Sequence, residues 1–262
     1  MNDFSNYLVV AINAAISTGE ILKKGFLFKD FSIEKKEEGI HNLVTTYDYL
    51  AEKNIIDMIL KAYPSHNIIS EEKGFLDNKD KDFLWIIDPL DGTVNFAHQI
   101  PLFCVSIALQ VQKKVVLGVV YNPLCNELFV AQKDKGAFLN GTQINVSNVK
   151  KIKDGFFSTG FPYDMNKKND FINDFVKVAK LGLSIRKYGT AVLSLAYVAM
   201  GRIDLFFEPS LKIWDCAAGM LLVNEAQGQV TDWQGKDFIL KENNRLIASN
   251  KFLHNQFLNL LT

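Results

Sequence analysis

The stretch WIIDPLDGTVNF, residues 85–96, limits what this chain can fold into more than any other part of it. The apolar run from Phe83 to Ile87 reads as a buried strand that ends at Asp88, with Asp91 three residues further on. Two carboxylates held that close in a poorly solvated place repel, and one is driven to keep its proton unless a cation lies between them. Pro89 pushes Asp88 into extended backbone and Gly92 can take the positive φ of a sharp turn, so both carboxylates can point one way. Thr93 then opens a short helix. A helix N-terminus or a nest of backbone N–H groups suits an anion, and Gly92 lets a phosphate come close to the backbone. The stretch therefore predicts a cation beside a phosphate, although Asp, Pro and Gly in this order also suit a plain surface turn.

The flanking segments predict a mixed α+β chain. Apolar residues recur at helical spacing over residues 4–25, ending near Gly25, and again in LVTTYDYLAEKNIIDMILKAYP, a helix entered through Thr45 or Thr46 with Leu50, Ile55, Met58 and Ile59 facing the core. HNIISEEKG reads as a short strand delivering Glu71 and Glu72 to a loop. FCVSIALQV, VVLGVVYN and ELFVAQ predict an antiparallel meander, and KGAFLNGTQINVS a hairpin turning at Asn140-Gly141. Beyond Gly155 strands and helices alternate, with helices at 171–181, 190–200 and 215–226 and strands at 184–188, 203–207, 229–232 and 245–249. No repeat or long linker interrupts the chain, so the 262 residues form one domain with two lobes, about 1–150 and 151–262.

Charge narrows the ligands. Lys plus Arg and Asp plus Glu are 29 each, and so balanced a chain carries no global field for nucleic acid or an anionic membrane. A small ligand is expected, with no nucleic acid required and no membrane. Cys104, Cys125 and Cys216 are an odd number, far apart, behind a start with no signal-peptide pattern, which points to reduced thiols in the cytoplasm.

Other carboxylates join Asp88 and Asp91 as candidates, each with a plainer alternative. Asp215 in WDCAAG also reads as a helix N-cap, Glu71 and Glu72 as a solvated pair, and Asp48 in LVTTYD as a complement to a helix dipole. LVTTYD at 43–48, SEE at 70–72, WIIDPLDGTVNF at 85–96, YGTA at 188–191 and WDCAAG at 214–219, in this order and spacing, resemble the inositol monophosphatase family of Mg²⁺-dependent, lithium-sensitive phosphatases over nearly the whole chain.

The resemblance implies a layered αβαβα fold, commonly dimeric, with apolar residues of the meander available for an interface. It implies one Mg²⁺ held by Glu71, Asp88 and the Leu90 carbonyl, a second held by Asp88, Asp91 and Asp215, and a third, weaker ion at Glu71. Oxygen-only ligands suit Mg²⁺, and the histidines and cysteines form no cluster that would indicate zinc. The implied reaction is hydrolysis of a phosphate monoester, inositol 1-phosphate foremost, with Glu71 and a Thr93–Asp48 pair helping to activate water.

By the same resemblance Asp91, Gly92, Thr93, Gly189, Thr190, Ala191, Glu208 and Asp215 bind the phosphorylated polyol or sugar. Gly189-Thr190 also suits a strand-to-helix turn with an N-cap, and Glu208 an ordinary strand end. Two departures stand out, and the first, in SLKIWDCAAG, looks more like bacterial members and widens the substrate range. Lys212 stands three residues before Asp215, where animal members carry a histidine, and Lys36 lies in KKEEGIHN, which aligns only loosely with a lysine-bearing loop over the metals. That charged loop suits a mobile lid. Fructose 1,6-bisphosphate, histidinol phosphate and 3′-phosphoadenosine 5′-phosphate are alternative substrates. A metal-binding interaction protein without turnover is an alternative of another class.

Overall fold

A computed structural model describes residues 4–35, 43–161, 169–241 and 244–261, so Lys36 and most of the loop around it lie outside the described residues. The first half contains α1 (Ser5–Phe28), β1 (Ile33–Lys35), β2 (Leu43–Thr45), α2 (Thr46–Ala62), β3 (His66–Ser70), β4 (Gly74–Leu76), β5 (Asp80–Asp91) and α3 (Thr93–Ala97). It continues with β6 (Cys104–Val111), β7 (Lys114–Asn122), β8 (Glu127–Gln132), β9 (Gly136–Leu139) and β10 (Thr142–Ile144). The second half contains β11 (Phe156–Thr159), α4 (Asn169–Ala179), β12 (Ser184–Arg186), α5 (Ala191–Ala199), β13 (Leu205–Leu211) and α6 (Ile213–Glu225). It ends with β14 (Gln229–Thr231), β15 (Asn244–Ser249) and α7 (Lys251–Leu261).

Eight strands form one sheet in the order β10-β9-β8-β7-β6-β5-β3-β4, antiparallel except for the β3–β5 pair. Five form a second, mixed sheet in the order β12-β11-β13-β15-β14. Helices α1 and α2 cover the outer face of the first sheet, α5 and α6 fill the space between the sheets, and α4 and α7 cover the far face of the second. This is the αβαβα layering that the resemblance implies. Among the described residues no helix is long and apolar enough to cross a membrane.

Small residues set how closely α6 approaches the first sheet. A Cβ at Gly118 on β7 would come within 2.9 Å of the Ala218 backbone, and one at Gly219 within 2.5 Å of Leu195 on α5. The Ala-Ala-Gly of WDCAAG is thus a close-packing surface, and it holds the start of α6 beside the end of β5.

Several sequence expectations change in the folded chain. Helix α1 runs past Gly25 to Phe28 and stops at Lys29 in the left-handed region, φ 57°. Gly25 is instead a contact point, since a Cβ there would meet the Tyr47 ring at 2.5 Å. Leu50 is 50% exposed, and Ala51, Ile55, Ile56 and Ile59 form the buried stripe of α2. Strand β11 and helix α7 were not anticipated. The first is only four residues long and is held by parallel partners distant in the chain. Helix α7 had a legible signal, Leu253 and Phe257 one turn apart and both buried. In the meander all of β7 beyond Lys114 is buried, because helices cover both faces of the strand, whereas Leu128 and Val130 on β8 keep some surface open.

Candidate active site

Strict alternation along a strand would put Asp88 and Asp91, three residues apart, on opposite faces of the sheet. The register shows why it does not. Asp88 lies opposite Ser106 and Asp91 opposite Cys104, so three steps on β5 match two on β6. This one-residue bulge resets the parity and puts both carboxylates on one face. The strand therefore continues through Pro89, which has no N–H to lose, to Asp91, rather than ending at Asp88. Gly92 then turns the chain at φ 100°, and a Cβ there would come within 2.9 Å of the Leu102 carbonyl.

Each aspartate is aimed by backbone. The Leu90 N–H donates to Asp88 Oδ1 at 3.0 Å. Asp91 Oδ2 accepts from the Thr190 hydroxyl and from the Val192 N–H (2.8 Å), which locks the end of β5 to the first turn of α5. Thr190 also caps α5 by accepting from the Leu193 N–H at 3.2 Å. Thr190 and Ala191, expected at the substrate, thus spend hydrogen bonds on Asp91. Asp215 is the third residue of α6 rather than its N-cap. Its Oδ2 accepts the N–H of Lys212, the capping residue, at 2.7 Å, so the backbone of Lys212 serves to orient Asp215.

Asp48 is buried in the first turn of α2, where Thr45 donates to its Oδ2 through both N–H (2.7 Å) and hydroxyl (2.6 Å). Its other oxygen accepts from the Thr93 hydroxyl at 2.9 Å, and that hydroxyl also lies 3.0 Å from the Leu90 carbonyl. Asp48 does more than complement the helix dipole. It joins α2 to the turn after β5.

The electrostatics draw these groups into one set. Burial pushes Asp88 well above the usual carboxylate range, and Glu71, Asp91 and Asp215 push it further. Asp215 is raised well above its ordinary value by burial, then by Glu71 and Asp91. Asp91 and Asp48 rise to about 6, burial leading in both and Glu71 adding to it. Glu71, in the turn after β3, thus acts on four carboxyls supplied by β5, α2 and α6. Glu208 on β13 rises to about 8 through burial and the charge of Asp91, with Lys187 opposing. Asp91, Asp215 and Glu208 keep some surface open while protein encloses them on their other sides, so burial still dominates.

These residues suit a hard divalent cation. Their donors are oxygens alone, and the charges that act most strongly on Asp88, Asp91 and Asp215 are those of other carboxylates. Among the described residues no three His, Cys, Asp or Glu side chains converge closely enough to hold an ion as they stand. The carboxylates are within electrostatic reach of one another.

Sequence reasoning missed three supports, Asn95, Gly160 and Glu52. Asn95 donates to the Leu102 carbonyl (2.8 Å) and the Tyr188 carbonyl (2.7 Å), tying α3 to the loop that carries Gly189. Gly189, at φ 75°, packs so tightly that a Cβ would come within 2.9 Å of that amide. A Cβ at Gly160 would overlap the Glu208 carboxylate. Glu52 accepts two N–H groups beside Glu71, and its place four residues after Asp48 on one helix face is the only one of these signals visible in sequence.

A model of the inositol monophosphatase family matches residues 3–262. The Escherichia coli K12 protein named Nus factor SuhB is 42% identical over 245 residues, covering 93% of this chain and 91% of its own. The structure of extragenic suppressor protein suhB from Bartonella henselae is similar at a TM-score of 0.93 and 38% identity over 98% of each chain. That of inositol monophosphatase from Anabaena gives 0.88 and 33%, covering 99% of this chain and 96% of the other. The expectation that no nucleic acid is required is corrected by the first of these. A relative so similar over nearly the whole chain is named a Nus factor, in conflict with a partner range that leaves nucleic acid out.

Proposed function

The chain belongs to the inositol monophosphatase family, and from that premise we propose that it hydrolyses monoesters of phosphate with small polyols, inositol 1-phosphate foremost, with Mg²⁺ as cofactor. The observation that carries this reading is the set of Asp88, Asp91 and Asp215, enclosed by protein on most sides, with Glu71 and one another as the strongest charges acting on them. Glu71, Asp88, Asp91, Asp215 and the Leu90 carbonyl would hold the ions. Bound there, Mg²⁺ supplies a lowered pKa for water and offsets negative charge on the oxygen that leaves phosphorus.

The protein groups do the rest. The Thr93 hydroxyl donates to Asp48, which leaves its lone pairs to accept a hydrogen from the attacking water. Asp48, oriented by Thr45, is the base that receives the proton Thr93 relays, while Glu71 orients the same water. The N–H groups around Gly92 and Thr93 receive the phosphate. Asp91, Glu208 and the Gly189 to Ala191 turn face the polyol hydroxyls, Asp91 and Glu208 as acceptors. Phosphate release from inositol 1-phosphate, fructose 1,6-bisphosphate, histidinol phosphate and 3′-phosphoadenosine 5′-phosphate, with Mg²⁺ and with a chelator, tests this. Release that is Mg²⁺-dependent and fastest with the inositol ester is the expected result, and no release from any ester overturns it.

The name of the Escherichia coli relative favours a second reading, a role in transcription. Asp88→Asn separates the two: a transcription role retained by a variant that hydrolyses nothing is independent of the carboxylate chemistry.

A further inference from the structure

Glu52 is fully buried on α2, yet no step of the proposed chemistry uses it. Its Oε1 accepts two backbone N–H groups at once, from Glu72 and Lys73, each at 3.0 Å. These are the two peptide units that follow Glu71 in the turn after β3. Its Oε2 is buried with no hydrogen-bond partner. A carboxylate retained only for packing is poorly served by such a place, where desolvation is costly and one oxygen goes unsatisfied. The place makes sense if the clamp on the turn is what the residue is for.

The geometry gives that clamp a purpose. Asp48 lies four residues before Glu52, one helical turn away, and the hydroxyl of Thr93 donates to it at 2.9 Å. One rigid helix therefore grips both halves of the water-activating pair, Thr93 through Asp48 and the turn bearing Glu71 through Glu52. Two N–H groups converging on one oxygen fix the orientation of the turn's peptide planes. With them they fix the direction in which Glu71 leaves the backbone, toward Asp88, Asp91 and Asp215, all of which its charge influences.

We propose that Glu52 is a positioning residue that sets Glu71 against the Asp88–Asp91–Asp215 group and against Thr93, so that it governs Mg²⁺ affinity and turnover without touching substrate. The inference rests on the phosphatase reading for its consequence in turnover, but its effect on Mg²⁺ binding can be read without any ester. Outer residues that orient metal ligands are worth roughly 10–100-fold in affinity or activity when removed.

The test compares Glu52→Ala, Glu52→Gln and Glu52→Asp in the full chain. Mg²⁺ binding is measured by calorimetry without substrate, exchange of the Glu72 and Lys73 amides by NMR, and kcat and KM with inositol 1-phosphate. Glu52→Ala should weaken Mg²⁺ binding and lower kcat by about tenfold or more, speed exchange at both amides and leave KM nearly unchanged. Glu52→Gln keeps an oxygen for the two N–H groups and should recover most of each loss. Glu52→Asp, one methylene short, should not.

Unchanged Mg²⁺ binding in a folded Glu52→Ala overturns the proposal, and so does a Glu52→Gln as impaired as Glu52→Ala with its amides still protected. If Glu52→Ala does not fold, the other two decide, and equal behaviour of Gln and Asp overturns it. A wild-type chain that binds Mg²⁺ but splits no ester, while Glu52→Ala weakens that binding, supports the positioning role and overturns the phosphatase reading. A wild-type chain that binds no Mg²⁺ overturns both.

Discussion

The Thr93 hydroxyl donates to Asp48 Oδ1 at 2.9 Å, a bond between the first turns of α3 and α2 that spans 45 residues of sequence. Since Thr45 occupies the other oxygen of Asp48, the pair has one geometry. Thr93→Val keeps the shape and removes the relay. It should lower kcat by about 10²–10⁴-fold while Mg²⁺ binding persists, as calorimetry would show. Asp48 must be ionised to accept the proton and holds its own up to about pH 6, so kcat should rise with pH through that value. Asp48→Asn should abolish that limb of the profile.

Asp215→Asn leaves an oxygen to accept the Lys212 N–H, so the start of α6 should persist. Mg²⁺-dependent phosphate release should fall at least about a hundredfold, the scale of losing one preorganised electrostatic group. Without metal the variant should be more stable than wild type, because a buried repelling charge is gone. Melting in chelator checks the second expectation, and a lower melting temperature would contradict it.

Metal-free and Mg²⁺-loaded protein should respond to pH with different slopes. Asp91 titrates near 6 in the folded metal-free chain against 3.8 as its ordinary value, and Asp88 and Asp215 are raised as well. Groups raised on folding contribute stability that is full below the ordinary value and lost as pH rises through the folded one. The metal-free chain should therefore lose these contributions from about pH 4 upward through about pH 6 and beyond. The gain in melting temperature on adding Mg²⁺ should be larger at about pH 7.5 than at about pH 5. A gain independent of pH would speak against shared ions.

At Gly160 a methyl group would displace the Glu208 carboxylate. Gly160→Ala should raise KM for inositol 1-phosphate about tenfold, the scale of one hydrogen bond. An ester without ring hydroxyls, such as p-nitrophenyl phosphate, should be affected little. Equal losses on both substrates would remove Glu208 from hydroxyl binding.

Gly118→Ala pushes β7 away from Ala218 on α6. Overpacking of this kind costs about 1–3 kcal/mol, measurable by denaturant unfolding, and the shifted helix should carry Asp215 away and weaken Mg²⁺ binding. A stability loss with unchanged Mg²⁺ affinity would show that α6 absorbs the change without moving its first turn.

Much of this molecule is local and so was written in the chain. The three strands of the meander are runs of apolar residues split by turn formers, and Asn140 and Gly141 both take the left-handed backbone that their hairpin requires, φ 48° and 81°. Thr45 caps α2 and Thr190 caps α5 as short polar residues do before an apolar run. The carboxylates were legible as types at positions, because a strand that runs into two aspartates is unusual in any fold.

What the chain alone could not decide is which way those carboxylates point and what holds them. Pro89 and Gly92 allowed Asp88 and Asp91 to point one way, but only the pairing of β5 with β6 shows the bulge that brings this about, since register is a property of two strands and not of one. Asn95 and Gly160 looked ordinary in sequence, and Glu52 showed only its place one helical turn after Asp48. They matter because backbone from elsewhere in the chain comes within hydrogen-bonding or contact distance of them. Local propensity and period set the elements of this protein, and close packing between elements distant in sequence set the site.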